Sequence, residues 1–235
     1  MSRGSGASRR DGGRGKSRVK EAFTESVRLL ALVYARDAEA IERMGRQVAE
    51  TAQKGGVVFF AGNGGSAAEA QHFATELVCR YVKNRRALPA IALSADASIL
   101  TATGNDYGFD RVFARSVEAL GRKGDLLVAM STSGHSRNVL AAIREARRRG
   151  MRVIGMTGAG GRAFAGRCDE CLVVPSRETP RVQEIHLLVG HLWCEFAEEL
   201  ARTRRVKRPA KRPVKRPVKR PAKRPAKRPA RKRRP

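Results

Sequence analysis

Residues 57–77 read VVFFAGNGGSAAEAQHFATEL. Five continuously apolar residues run into a glycine-rich turn, and the turn runs into a helical pattern. The apolar run VVFFA is too short for a helix and does not alternate, as expected of a strand buried on both faces. The same grammar recurs at 89–94 (PAIALS), 125–130 (DLLVAM), 152–157 (RVIGMT) and 170–175 (ECLVVP). Helical patterns lie between them at about 66–82, 109–121, 136–149 and 181–203. Five buried strands alternating with helices predict a doubly wound α/β domain, with a parallel sheet and helices on both faces. Ahead of the first strand, apolar residues at helical spacing predict two helices, one from Ser17 and one from about Asp37 to Ala52. In such a fold ligands gather beyond the carboxyl ends of the strands. GNGGS (62–66) and STSGHS (131–136) both fall there.

Outside that core the composition changes. The 235 residues carry a net charge of +27. From Thr203 onward there are 18 Lys and Arg and no acid, and residues 1–20 add a net +6, which leaves about +3 for the rest. Residues 1–17, rich in Gly, Ser and Arg, read as a disordered basic segment. Residues 18–202 form the domain. Residues 203–235 repeat K-R-P-A/V, and proline at every fourth position forbids a continuous helix. That arm is expected to be extended and disordered, a non-specific ligand for nucleic acid or another polyanion. It has no aromatic residues for base stacking. The N-terminus has charge but no apolar core, so it is not a secretory signal. No apolar run approaches the ~18 residues of a membrane helix. Cys79, Cys168, Cys171 and Cys194 hold a single C-x-x-C, too few thiols for a zinc ribbon. They read as reduced thiols of a cytoplasmic protein.

The loops and two helices carry the chemistry. Gly62, Gly64 and Gly65 let backbone N–H groups approach an anion, with Ser66 where the next helix begins. The turn lacks the Lys-Ser/Thr of a Walker loop. Ser131, Thr132, Ser133 and Ser136 offer four hydroxyls around one glycine, a neutral cradle for a phosphate monoester. His72 and Glu76 share a helix face. Gln183, Leu187 and His191 make an i, i+4, i+8 row that drifts ~80° over two turns. Donors of this kind suit a zinc-like divalent ion.

GNGGSA, HFATEL, GNDYGF, STSGHS and RVQEIHLLVGH, in this order, resemble the sedoheptulose 7-phosphate (phosphoheptose) isomerases of the sugar isomerase (SIS) domain class. The resemblance runs over about residues 18–202 and covers neither basic end. It implies a flavodoxin-like SIS fold, a homotetramer with sites at subunit boundaries and one zinc per subunit. It also implies synthesis of the heptose precursor of lipopolysaccharide core. Carried over, the metal ligands are His72, Glu76, Gln183 and His191. The substrate contacts are Asn63, Gly64, Gly65, Ser66, Asn105, Asp106, Ser131, Thr132, Ser133, Ser136 and Gln183. Glu76 is the expected base and His191 the expected acid. This chain has Pro180 where some members carry Asp before the R-[IV]-Q-E run. SIS tetramers that bind a replication initiator are the non-catalytic alternative; they lack the His/Glu pair that is present here.

Overall fold

A computed structural model of the chain describes residues 11–203, with side chains from Ser17 onward. The elements in chain order are α1 (Asp11–Gln53), β1 (Val58–Ala61), α2 (Gly65–Val78), β2 (Ala90–Ala92) and α3 (Ala97–Tyr107). A 3-10 turn (Phe109–Arg111) leads into α4 (Val112–Leu120), β3 (Leu126–Ser131), α5 (Arg137–Arg148) and β4 (Arg152–Gly158). The chain continues through α6 (Arg162–Ala165), β5 (Glu170–Val174) and α7 (Thr179–Thr203).

All five expected strands form, and all pair in parallel in the order β2-β1-β3-β4-β5. This is the flavodoxin-like order, and its switch point lies between β1 and β3. Strand residues alternate between two cores. Val58, Phe60, Val128, Met130, Ile154 and Met156 face α1, α2 and α7. Phe59, Ala61, Leu127, Ala129 and Val153 face α4 and α5. Burial on both faces is why these strands read as unbroken apolar runs.

Three expectations need correction. The front of the domain is one helix of 43 residues, not a pair. No Pro or Gly interrupts the chain near Asp37, so the hydrogen-bond ladder propagates through it. Arg36 is bidentate on Asp37 and also donates to the Val173 carbonyl at 2.5 Å, which ties this stretch to β5. Second, residues 11–17 belong to α1 rather than to a disordered segment. Residues 1–10 and the Lys/Arg/Pro repeats from 204 onward lie outside the described residues. Third, α3 is a further helix ahead of the one expected at about 109–121. The Asp96 side chain caps it, accepting from the Ile99 amide at 2.9 Å.

α7 packs along α1 and crosses α2. Trp193 is buried and donates its indole N–H to the Ile41 carbonyl at 3.0 Å. Pro180, in the first turn of α7, is tolerated because the amide it lacks would have had no partner inside the helix.

Candidate active site

The site forms at the carboxyl ends of β1 and β3, beside the switch point, and on the facing surfaces of α2 and α7. GNGGS follows β1. Gly64 has φ 54°, a left-handed value that favours glycine, and no side chain caps the helix behind it. The amides of Ser66, Ala67 and Ala68 turn back to the Asn63 and Gly64 carbonyls at 3.0–3.2 Å. The Gly64 and Gly65 amides make no backbone hydrogen bond among the described residues. They are open donors at a helix N-terminus, where an anion is favoured. A Cβ on Gly65 would strike the amide of Gln183, so glycine here lets α7 close on the loop.

STSGHS follows β3 and is more internally bonded. The Ser131 and Ser136 hydroxyls are 3.0 Å apart. The Gly134 amide donates to Ser131 Oγ at 3.1 Å, and the His135 amide to Ser133 Oγ at 3.2 Å. Thr132 is half-buried and Ser133 exposed at the rim. From below, Thr157 Oγ1 donates to the Ser131 carbonyl at 2.7 Å and the Gly158 amide to the Thr132 carbonyl at 3.0 Å. The two loops are joined by a residue the sequence reading missed. Asn63 and Asn138 exchange two amide hydrogen bonds of 2.8 Å, and Asn138 is buried in the first turn of α5.

Between the helices, His72 Nε2 and His191 Nε2 stand 2.8 Å apart. Glu76 Oε1 lies 3.8 Å from His72 Nε2, one turn along the same face. A second unforeseen contact makes this possible: Gly190 sits against the ring of Phe73, where any Cβ would overlap it. Neither position looks chemical in sequence, yet each neighbours a histidine. The Tyr81 ring lies 5.7 Å from that of His191. Burial holds His191 below the usual imidazole range, and the nearby His72 adds to this while Glu76 pulls the other way. One step inside α2, Glu69 is buried and its Oε2 has no partner. Burial pushes its carboxyl up to about 7, with the Ser66 hydroxyl pulling the other way.

Asn105 and Asp106 lie in the last turn of α3, exposed. Asn105 donates to Asp106 at 2.8 Å, and neither reaches another expected site residue. Thus Asn63, Gly64, Gly65, Ser66 and Gln183 gather at one loop, Ser131, Thr132, Ser133 and Ser136 at the second, and His72, Glu76 and His191 between the helices. The α3 pair stays apart.

The SIS domain family model matches residues 22–158, which takes in both loops, His72 and Glu76. A phosphoheptose isomerase of Rhodospirillum rubrum is 55% identical over 162 residues, 69% of this chain and 86% of that protein. The chain belongs to the phosphoheptose isomerases of the SIS domain family. Two solved members fit the same architecture. The phosphoheptose isomerase of Neisseria gonorrhoeae is 41% identical with a TM-score of 0.73, over 78% of this chain and 98% of that one. The one from Francisella tularensis is 35% identical with a TM-score of 0.76, over 79% and 98%.

Membership raises the question of zinc. Two imidazole nitrogens bound to one tetrahedral zinc stand about 3.3 Å apart, since each bond is ~2.0–2.1 Å. The 2.8 Å between His72 and His191 is a hydrogen bond that a shift of about half an ångström would open into such a pair. Among the described residues no three His, Cys, Asp or Glu already stand as a closed cage. The donor set nevertheless fits: two imidazoles, the Glu76 carboxylate one turn away, and the Gln183 amide two turns ahead of His191 on α7. The downward push on His191 favours the neutral form a metal requires.

Proposed function

We propose that the chain converts sedoheptulose 7-phosphate to D-glycero-D-manno-heptose 7-phosphate, an aldose–ketose isomerisation through an enediol that supplies lipopolysaccharide core heptose. The observation that carries this reading is the convergence of His72, His191 and Glu76 beside two neutral anion loops. The loops bind the phosphate as a handle, and that binding energy positions the reacting carbons. Glu76 takes the proton from C1 of the ketose as the C2 oxygen gains one, giving the enediol. Loss of the O1 proton and return of a proton to C2 complete the aldose. His191 is the acid at oxygen. Like Glu76, it can give up a proton only while free of a metal, and His72 lies within reach to exchange that proton.

The residues that would hold zinc are His72, Glu76, Gln183 and His191. Bound there, the ion would polarise the carbonyl and stabilise the charge that builds on oxygen. Glu76 must be free of the ion when it takes the carbon-bound proton, because a coordinated carboxylate is a weaker base.

The assembly proposed is a tetramer of identical chains. Val19, Phe23, Val27 and Tyr34 on α1 are all more than half exposed. A groove of about 230 Å³ between α1 and α7, lined in part by Leu30, Leu188 and Leu192, continues that surface. Apolar area of this extent is what a second copy would cover. No helix among the described residues is long and apolar enough to cross a membrane. The four free cysteines suit a reducing compartment, and we place the reaction in the cytoplasm.

The test is turnover of sedoheptulose 7-phosphate in D2O followed by NMR, with metal content measured alongside. Deuterium should enter at C1 or C2. Glu76→Gln should lose ~10²–10⁴ in turnover while still binding substrate. A wild-type protein that shows neither isomerisation nor exchange would move the assignment to the non-catalytic, initiator-binding type.

A separate reading concerns the basic repeats. Eighteen cations without an acid suit the phosphate backbone of nucleic acid, bound without sequence preference. Removing residues 204–235 should leave turnover intact and abolish salt-sensitive DNA retention. Retention with an unchanged salt slope would place the binding in the domain instead.

A further inference from the structure

The C-x-x-C of the sequence takes no part in the site described above. Cys168 lies in the turn after α6, and Cys171 lies in β5. Along a regular strand, residues three apart point to opposite faces. Glu170 faces α1, where it accepts from Gln47 and lies 3.6 Å from Arg43. Cys171 faces the other way and packs on the core that contains Phe59, Val153 and Phe164. Strict alternation would send Cys168 to the face of Glu170, yet it packs on the same core as Cys171. A turn makes the difference. The Cys168 amide donates to the Ala165 carbonyl at 3.1 Å. The next residue, Asp169, is tied twice to Val153 of β4: its amide donates to the Val153 carbonyl at 2.9 Å, and its carboxylate accepts from the Val153 amide at 2.7 Å.

The two thiols meet over Gly155, the residue of β4 paired with Cys171. A Cβ on Gly155 would lie 2.6 Å from Cys168 Sγ and 2.7 Å from Cys171 Sγ, so the sulfurs stand within about 5.3 Å of each other, the sum of the two. Rotation of both side chains about χ1 can close such a gap to the ~2.05 Å of a disulfide. Each sulfur otherwise has only a weak contact at 3.6 Å, Cys168 with the Phe164 carbonyl and Cys171 with the Leu172 carbonyl. Both cysteines are half-buried rather than sealed, within reach of a small solute. Sharing its proton with Cys168, and then burial, push the Cys171 thiol up. Cys171 is thus the thiol that keeps its proton, and the attacking role falls to Cys168. Cysteines that only fill a core need no such convergence, in which one strand departs from alternation and its neighbour gives up a side chain at the same point.

We propose that Cys168 and Cys171 are a reversible redox site, which a small disulfide oxidises to an intramolecular disulfide. In a reducing compartment such a pair is transient rather than structural. Cys168, as thiolate, attacks one sulfur of the small disulfide, and the other half leaves as a thiolate that takes up the proton. Cys171 then gives its proton to solvent and attacks Cys168 Sγ, and the second small thiolate leaves and is protonated. Two protein thiols become one disulfide, and one small disulfide becomes two thiols. The proposal does not rest on the isomerase reading.

The test exposes the full chain to oxidised glutathione until exposed Cys79 carries glutathione. Acid quench, denaturation and N-ethylmaleimide then label the remaining free thiols. Trypsin releases residues 168–177, which hold both cysteines of the pair and no other. This peptide should carry no label, weigh two hydrogens less than its reduced form, and regain both labels after dithiothreitol. Cys171→Ser should stop with one glutathione on Cys168. Gly155→Ala puts a methyl against both sulfurs and should slow closure about tenfold or more, because cysteines held apart cannot be bridged without backbone movement. A wild-type peptide that keeps both labels would show that the pair only fills the core. One that stops at a single glutathione would show that the sulfurs cannot meet, and closure at the wild-type rate in Gly155→Ala would overturn the role of the shared space. If Gly155→Ala does not fold, the wild-type and Cys171→Ser peptides decide.

Discussion

The two halves of the site are held in different ways. The phosphate half is held by hydrogen bonds between loops: Asn63 with Asn138, Ser131 with Ser136, and Thr157 and Gly158 beneath. The proton-transfer half is held by the fit of one helix against another, with Gly190 against Phe73 and Gly65 against Gln183. Loop hydrogen bonds can be lost singly, each at modest cost. A helix contact cannot, because moving α7 displaces His191 and Gln183 together. The first half should therefore fail by degrees and the second abruptly.

Gly190→Ala is the strongest way to break that contrast. The added methyl meets the ring of Phe73, which is itself buried and cannot swing away. Overpacking of this kind costs about 1–3 kcal/mol. The larger loss should be in catalysis, since a displacement of ~1 Å at a reacting pair costs about 10²-fold. Turnover should fall about 10²-fold or more, while phosphate affinity falls less, because Gln183 is the one member of the phosphate-binding set that rides on α7. Steady-state kinetics beside phosphate titration would show this. Equal losses in both would mean that the halves are not mechanically separate.

Asn138→Ala attacks the phosphate half. It removes both bonds to Asn63 and leaves that amide unpaired, at a cost of about 1–3 kcal/mol in stability. KM should rise about tenfold with kcat within a few-fold of wild type, which is the graded failure expected of a loop. A collapse of kcat instead would mean that this tie also sets the helix pair. Asn138→Asp keeps one acceptor but adds a charge beside a phosphate, so it should bind substrate more weakly than Asn138→Ala.

The same division explains what the sequence revealed. Strands buried on both faces announce themselves as VVFFA or DLLVAM, and all five form within a residue or two of their expected bounds. His72 and Glu76 were legible because helix geometry alone puts them on one face. The pairing of His72 with His191 followed only from the family resemblance, since the two are 119 positions apart and packing brings them within 2.8 Å. Gly190 and Phe73 looked like filler because their role is steric. Asn138 looked like one more polar residue in a first turn because its partner lies in another loop. Helix α1 was split in two by reading Asp37 as a start, when no helix breaker stands before it. Helix α3 was missed because it buries only Thr103 and so shows little apolar periodicity, although Asp96 was a visible cap.

The smallest expected effect separates the two buried orphans, Glu69 on α2 and His186 on α7, whose ring nitrogens have no hydrogen-bond partner among the described residues. Burial pushes Glu69 up to about 7 from 4.5, and His186 down to about 4 from 6.5. The signs are opposite. A raised carboxyl contributes stability that is present below pH 4.5 and lost as pH rises through about 7. A depressed imidazole contributes stability that is present above pH 6.5 and lost as pH falls through about 4. Between pH 4.5 and 6.5 the two slopes oppose, each at most about 1.4 kcal/mol per pH unit. Wild type should therefore show little net slope from this pair. Relative to wild type, Glu69→Gln should gain about 1–2 kcal/mol as pH rises from 5 to 7. His186→Leu should gain a similar amount as pH falls from 6.5 to 4.5. Taking each variant minus wild type cancels every other titrating group, so urea unfolding at three pH values is enough. Parallel curves for the two variants would mean that neither group is titrated by folding. A slope in Glu69→Gln alone would mean that the His186 ring finds a partner in solution after all.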